Sequence, residues 1–167
     1  FRNHPMLDTD VLAGVRIGIP QNYYFTGVEA AISECAHRMA VHAEGLGARL
    51  VPVMVPDVEA LNAVGRLILW VEASATLEPF LSRRDQFGAD VLNLLDQGRL
   101  IPATEYLQAQ RIRYLLQQEF ARVFEEIDCL LMPATPNRPP RIGEATLTIH
   151  GHVVDARLIS TRNLRGF

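Results

Sequence analysis

The strongest constraint in this chain is a strand, helix and strand packed into about 40 residues near its start. Val15-Arg16-Ile17-Gly18-Ile19 reads as a short strand closed by Pro20, which cannot donate to a sheet ladder. Thr26 followed by Glu29 has the spacing of a capping box, and Ile32, Cys35, Met39, Ala43 and Leu46 recur at helical intervals until Gly45 and Gly47. Ala48 to Val55 then runs apolar through Leu50, Val51, Val53 and Val55 and stops at Pro56. A βαβ unit over 15–55 demands two parallel strands, with the right-handed crossover that such units adopt. The expected fold class is therefore α/β, with a small, mostly parallel sheet flanked by helices.

Beyond that unit the pattern turns helical over 57–126. Asp57 is placed to cap a helix running to about Leu81, with Leu61, Val64, Ile68 and Val71 on one face. A shorter helix is expected from Ala89 to Asp96, ended by Gly98. Thr104 opens the longest periodic stretch, whose stripe is Ile112, Leu116, Phe120, Val123 and Ile127, with Gln110, Arg113, Gln117, Glu119 and Arg122 on the solvated side. Asp128 to Met132 reads as a buried apolar strand, and the prolines at 133, 136, 139 and 140 make 133–143 stiff and extended. Leu147-Thr148-Ile149 and Val153-Val154 flank His150-Gly151 as a hairpin would within 145–157, and 158–167 stops without a cap. One α/β unit over 1–167 is expected, and Phe1-Arg2-Asn3 is not how a gene product starts, so the chain reads as a segment of something longer.

Composition removes whole classes of chemistry. All sixteen basic residues are Arg, and there is no lysine. A phosphate-binding P-loop, a Schiff-base enzyme and a Ser-Lys hydrolase all need that amine, so none can be complete here. With net charge −3 and arginines spread from Arg2 to Arg165, no basic face is offered to nucleic acid. The mean hydropathy is +0.08 and no apolar run reaches the roughly 18 residues of a membrane span. A soluble, cytoplasmic protein is expected, with Cys35 and Cys129 as reduced thiols buried in the core; burial would raise the Cys129 pKa and leave it a small hydrophobe.

Side chains for catalysis are scarce. The serines are Ser33, Ser74, Ser82 and Ser160, none in a nucleophile elbow, and those within helices tend to bond back to the preceding turn. His37 and His42 are five apart on a helix and diverge, His150 and His152 have no third ligand beside them, and His4 stands alone near the start, so no metal or other cofactor is expected. Glu72, in the apolar run Leu69-Trp70-Val71-Glu72-Ala73, is the conspicuous carboxylate: it should pair with an arginine such as Arg66 or face a cleft.

An ordered set of motifs then resembles the amidase signature hydrolases. It begins with Leu12-Ala13-Gly14-Val15-Arg16-Ile17-Gly18-Ile19-Pro20, continues through Gly47-Ala48 before a Val-rich strand, and reaches Glu72-Ala73. Phe87-Gly88-Ala89-Asp90-Val91 with Gly98, and Tyr106-Leu107-Gln108-Ala109 with Arg111 and Arg113, follow. Phe120, Phe124 and Asp128-Cys129-Leu130-Leu131-Met132-Pro133-Ala134-Thr135-Pro136 complete it. The resemblance, spanning 12–143, implies a parent enzyme that cleaves or transfers amide nitrogen with a Ser-cisSer-Lys triad lying N-terminal to this region, acting on a small-molecule amide. It implies no catalytic residue within 1–167, and a chain inactive by itself. It also implies that Trp70, Glu72, Ala134 and Thr135 border the acyl-side pocket. One branch of the family supplies the amidase-like component of tRNA-dependent glutamyl/aspartyl amidotransferase and carries basic residues where this chain has Leu92-Asn93-Leu94-Leu95, which points away from an acidic acyl group. A non-catalytic α/β ligand-binding or interaction domain is the reading outside the family. Self-association through exposed apolar surface is expected in either case.

Overall fold

A computed structural model of the chain describes residues 11–164. His4, Phe1-Arg2-Asn3 and the last residues of the 158–167 segment lie outside the described residues. The chain divides into two compact units, one built from the segments up to Pro56 and from Glu119 onward, the other from Asp57–Gln118.

The first unit holds the sheet. β1 (Arg16–Pro20) lies between β2 (Arg49–Val53) and β3 (Cys129–Leu130), and both neighbours run parallel to it. β1 and β2 pair along five residues, from Arg16 opposite Arg49 to Pro20 opposite Val53. β3 is shorter than the expected 128–132 strand: only Cys129 and Leu130 pair, opposite Ile17 and Gly18. Its start is fixed electrostatically, because the Arg16 guanidinium grips Asp128 through Nη2 to Oδ1 at 2.8 Å and Nε to Oδ2 at 3.2 Å, while the Arg16 backbone N–H donates to Oδ2 at 2.7 Å. Those charge-assisted bonds hold the Asp128 carboxyl at about 2, below its ordinary 3.8.

Helix α1 (Ala30–Gly45) joins β1 to β2. Its seating corrects two expectations. Ala40 is the buried residue, flanked by half-buried Ile32, Ala36 and Ala43, whereas Met39 and Cys35 are exposed. Cys35 and Met39 each sit one residue, about 100° around the axis, from the inward-facing Ala36 and Ala40; of the expected stripe, Ile32, Ala43 and Leu46 are half-buried and the other two are turned outward. The capping box also fails to form. Glu29 is the N-cap residue but makes no side-chain cap bond, because its carboxylate takes the Arg138 Nε–H at 2.8 Å. Cys129 is exposed like Cys35, so neither thiol is a core residue and the burial argument for Cys129 falls away.

The hairpin of β4 (Thr146–Ile149) and β5 (His152–Asp155) turns through His150 and Gly151, both with positive φ, 50° and 81°. A two-residue turn of that hand matches the twist of the strands, and Gly is the residue that adopts it without strain. α5 (Ala156–Ser160) follows, capped by Asp155 accepting from Leu158 N at 2.8 Å.

The second unit is helical. α2 (Val58–Leu77) starts at Asp57, whose Oδ1 accepts from Ala60 N at 2.9 Å, and buries Leu61, Val64 and Ile68. Pro79 then opens a 3₁₀ segment (Glu78–Gln86) broken at Arg83, in place of the last turn expected to Leu81. α3 (Ala89–Leu100) runs two residues past Gly98, which is not its end. A Cβ at Gly98 would lie 2.6 Å from the carbonyl carbon of Trp70 and closer still to its oxygen and to Ser74 Oγ, so glycine is what lets α3 lie against α2. Ser74 Oγ–H is shared between the carbonyls of Trp70 and Leu95, each at 2.7 Å. α4 (Ala103–Glu126) packs Ala109 against Val64 and Ile68, with Leu67, Tyr106 and Ile112 around them.

Candidate functional site

The four site candidates fall in both units, Trp70 and Glu72 in the helical one and Ala134 and Thr135 in the one that holds the sheet. In the helical unit, Trp70 and Glu72 are two residues apart on α2 and so project from nearly opposite faces. Trp70 is half-buried, and its main-chain carbonyl lies against Gly98 of α3 and accepts from the Ser74 hydroxyl. Glu72 is exposed and does not pair with Arg66 or another arginine: no ion pair to it occurs among the described residues. Its Oε1 instead accepts from the Tyr106 hydroxyl at 2.8 Å and more weakly from Gln110 Nε2 at 3.4 Å, and Gln110 Nε2 also donates to the Tyr106 oxygen at 2.8 Å. Tyr106 and Gln110 are one helical turn apart on α4, so the two donors meet the carboxylate from one face. Gln110 is thereby drawn off the solvated side that the sequence pattern gives it.

In the sheet unit, Ala134 and Thr135 are exposed between Pro133 and Pro136, which are buried. The loop is held by polar side chains that the sequence pattern does not mark out. Asn163, 1% exposed, donates from Nδ2 to Pro133 O at 2.8 Å. Glu29 N donates to Pro136 O at 2.8 Å. Asn137, 2% exposed, donates to Ser160 Oγ at 3.0 Å and to Arg138 O at 2.8 Å. Nearby, Tyr24 is fully buried, and that burial, with a smaller contribution from Tyr23, pushes its phenol up to about 12, so the hydroxyl stays protonated at any physiological pH. Asn137 stands within the proline-rich loop, a signal too common to be read in advance, and Asn163, 23 residues beyond the last of those prolines, carries none.

Ser33, Ser74 and Ser160 are not set up as nucleophiles. Ser33 Oγ lies 3.5 Å from His37 Nδ1, but that nitrogen is 2.7 Å from the Ser33 carbonyl, which can only accept. Nδ1 therefore carries the hydrogen and cannot take a proton from the hydroxyl. Ser74 and Ser160 donate to helix carbonyls. His150 Nε2 donates to Val28 O at 2.8 Å, and among the described residues no group of three or more His, Cys, Asp or Glu could hold a metal ion. No helix among them is long and apolar enough to cross a membrane.

The amidase family model matches residues 8–163, and the chain belongs to that family. An amidase of Pseudomonas putida is 36% identical over 155 residues, covering 92% of this chain and 33% of the relative. A glutamyl-tRNA(Gln) amidotransferase component of Pseudomonas fluorescens (strain SBW25) is 29% identical over 180 residues, covering 93% and 37%. Among solved structures, a crystal structure of an amidase matches with a TM-score of 0.84 at 20% identity, covering 93% of this chain and 36% of that one. An inhibitor-bound protein from a vestigial complex, described in connection with the origins of an s-triazine catabolic enzyme, matches at 0.80 and 26% identity, covering 95% and 35%. The chain spans about a third of the length of the curated relatives it matches.

Proposed function

We propose that this chain is part of an enzyme that hydrolyses the C–N bond of a small neutral or apolar carboxylic amide, with the serine nucleophile and its Ser/Lys proton shuttle located N-terminal to residue 1. The observation that carries this is the 36% identity to an amidase over 92% of the chain, in a segment without a single lysine. A family that depends on a lysine must keep it elsewhere; within the chain Ser74 and Ser160 commit their hydroxyls to helix carbonyls and Ser33 lacks a base. The chain alone is then inactive, and its contribution is to border the acyl side of the pocket with the exposed Ala134-Thr135 pair of the loop; Trp70 and Glu72, on nearly opposite faces of α2, cannot both face one cavity. Attack by serine on the amide carbonyl would place charge on the carbonyl oxygen, to be stabilised by donors near the serine motif.

The acyl preference rests on α3. Leu92, Leu94 and Leu95 are buried or half-buried there, and Asn93 is uncharged, so this stretch has no cation to hold an acidic acyl group. The second reading, the amidase-like component of a tRNA-dependent amidotransferase, is favoured by the 29% identity to such a component over 93% of the chain, and it would require partner proteins. Ammonia release by the full-length protein from a panel of neutral aliphatic and aromatic amides, beside glutamine, separates the two. Turnover of the neutral amides without a partner supports the hydrolase. Activity confined to glutamine, or appearing only with the other amidotransferase components added, supports the second reading, and no turnover of any amide contradicts both.

A further inference from the structure

We propose that Asn163 is a positioning residue for the acyl-side pocket, fixing the exposed Ala134-Thr135 pair through the carbonyl of Pro133. The inference rests on the proposed role of that loop and adds the residue that controls it. Ala134 and Thr135 lie between two anchored carbonyls, Pro133 O held by Asn163 Nδ2 at 2.8 Å and Pro136 O held by the Glu29 N–H at 2.8 Å. With a proline on either side, little backbone freedom remains for the pair once both anchors are made.

The Asn163 end of this clamp is itself fixed. The preceding residue, Arg162, stacks its guanidinium over the Tyr23 ring at 4.9 Å, and its Nη2 donates to Tyr23 O at 3.3 Å and to Thr26 O. Asn163 Nδ2 also reaches Tyr24 O at 3.5 Å, so one amide group bridges the 22–27 turn and the loop. Ser160 adds a parallel link to Asn137, accepting from its Nδ2 at 3.0 Å. A buried amide that donates to main-chain carbonyls 30 and 139 residues away serves no helix cap or strand. What it determines is where the loop's exposed residues stand.

The test uses the full-length protein with Asn163→Ala, Asn163→Asp and, as a smaller perturbation that leaves the buried amide in place, Ser160→Ala. Asn163→Asp keeps the side-chain volume and removes the donor. The first readout is steady-state kinetics on a short-acyl and a bulky-acyl amide. Loss of a hydrogen bond to a buried carbonyl predicts KM for the bulky amide raised about tenfold in both Asn163 variants with kcat changed much less, and a smaller shift of the same kind in Ser160→Ala. A merely structural loss would lower active enzyme and hence kcat on both substrates alike. The second readout is cleavage after Ala134 by elastase, followed by mass spectrometry, expected to accelerate about tenfold in Asn163→Ala as the loop opens locally. Unchanged KM and acyl preference in an active enzyme, or unchanged cleavage after Ala134, overturns the clamp. A wild-type protein that hydrolyses no amide overturns the amide reading instead, and the cleavage rate then decides the clamp on its own.

Discussion

Gly98→Ala and Gly45→Ala should move stability in opposite directions although both glycines occupy helices. Alanine is favoured over glycine in a helix by about 1 kcal/mol, and nothing lies within 4 Å of the Cβ position at Gly45, so Gly45→Ala should stabilise by about 0.5–1 kcal/mol. At Gly98 the same methyl would overlap the Trp70 carbonyl group, which is backbone and cannot swing away, and would crowd the Ser74 hydroxyl that joins α2 to α3. Overpacking of that kind costs about 1–3 kcal/mol and falls here at the upper end, with the Ser74 hydrogen bonds, worth about 1 kcal/mol each, also placed at risk. Set against the gain in propensity, the net loss is about 2–3 kcal/mol, or a fall in Tm of about 5–10 °C for a chain of this size. Thermal unfolding followed by circular dichroism, with urea titration as a second measure, reads both variants against wild type. A Gly98→Ala protein as stable as wild type, or stabilised like Gly45→Ala, would refute the close approach of α3 to α2.

Asp128→Asn should destabilise the protein in a pH-dependent way. The Arg16 hydrogen bonds hold the Asp128 carboxyl below its ordinary value, so its contribution is complete above the ordinary carboxylate range and is lost as the pH falls through about 2. The difference in Tm between wild type and Asp128→Asn should therefore be widest near neutral pH and close between about pH 4 and pH 2, and because both side chains are partly exposed it should shrink in about 1 M salt. A difference independent of pH contradicts the pairing. Cys35 and Cys129 should both react rapidly with a thiol reagent such as DTNB under native conditions, since both are exposed. Reaction only after denaturation would return them to the core.

The parts of the fold written by local chemistry are legible in the sequence. Pro20 and Pro56 bound the first two strands' apolar runs, Asp57 caps α2, and His150-Gly151 supplies the two positive-φ residues of a tight hairpin turn. What escapes the sequence depends on partners far along the chain. Thr26 and Glu29 have capping-box spacing, yet Arg138, 109 residues away, takes the Glu29 carboxylate. Gly98 looks like a helix terminator and is a contact surface, which only the position of Trp70 reveals. Cys35 and Met39 have the right period for a buried stripe, but periodicity cannot tell a face of large side chains from a face of alanines one residue over. Glu72 is recognisable as a carboxylate in need of a partner, but a Tyr106 hydroxyl on another helix has no charge to advertise it. The polar anchors of the 133–137 loop are invisible for the same reason: Asn163 and Asn137 act on main-chain carbonyls, which every residue has.

On the proposed reading, this chain belongs to an amide-cleaving enzyme whose chemistry lies outside residues 1–167. Ammonia release from the neutral amide panel, measured side by side for the full-length protein and for the purified 1–167 chain, decides whether that is so. Turnover by the former and none above buffer for the latter is the predicted result. Reproducible turnover by the 1–167 chain, abolished by one substitution within it, would contradict it.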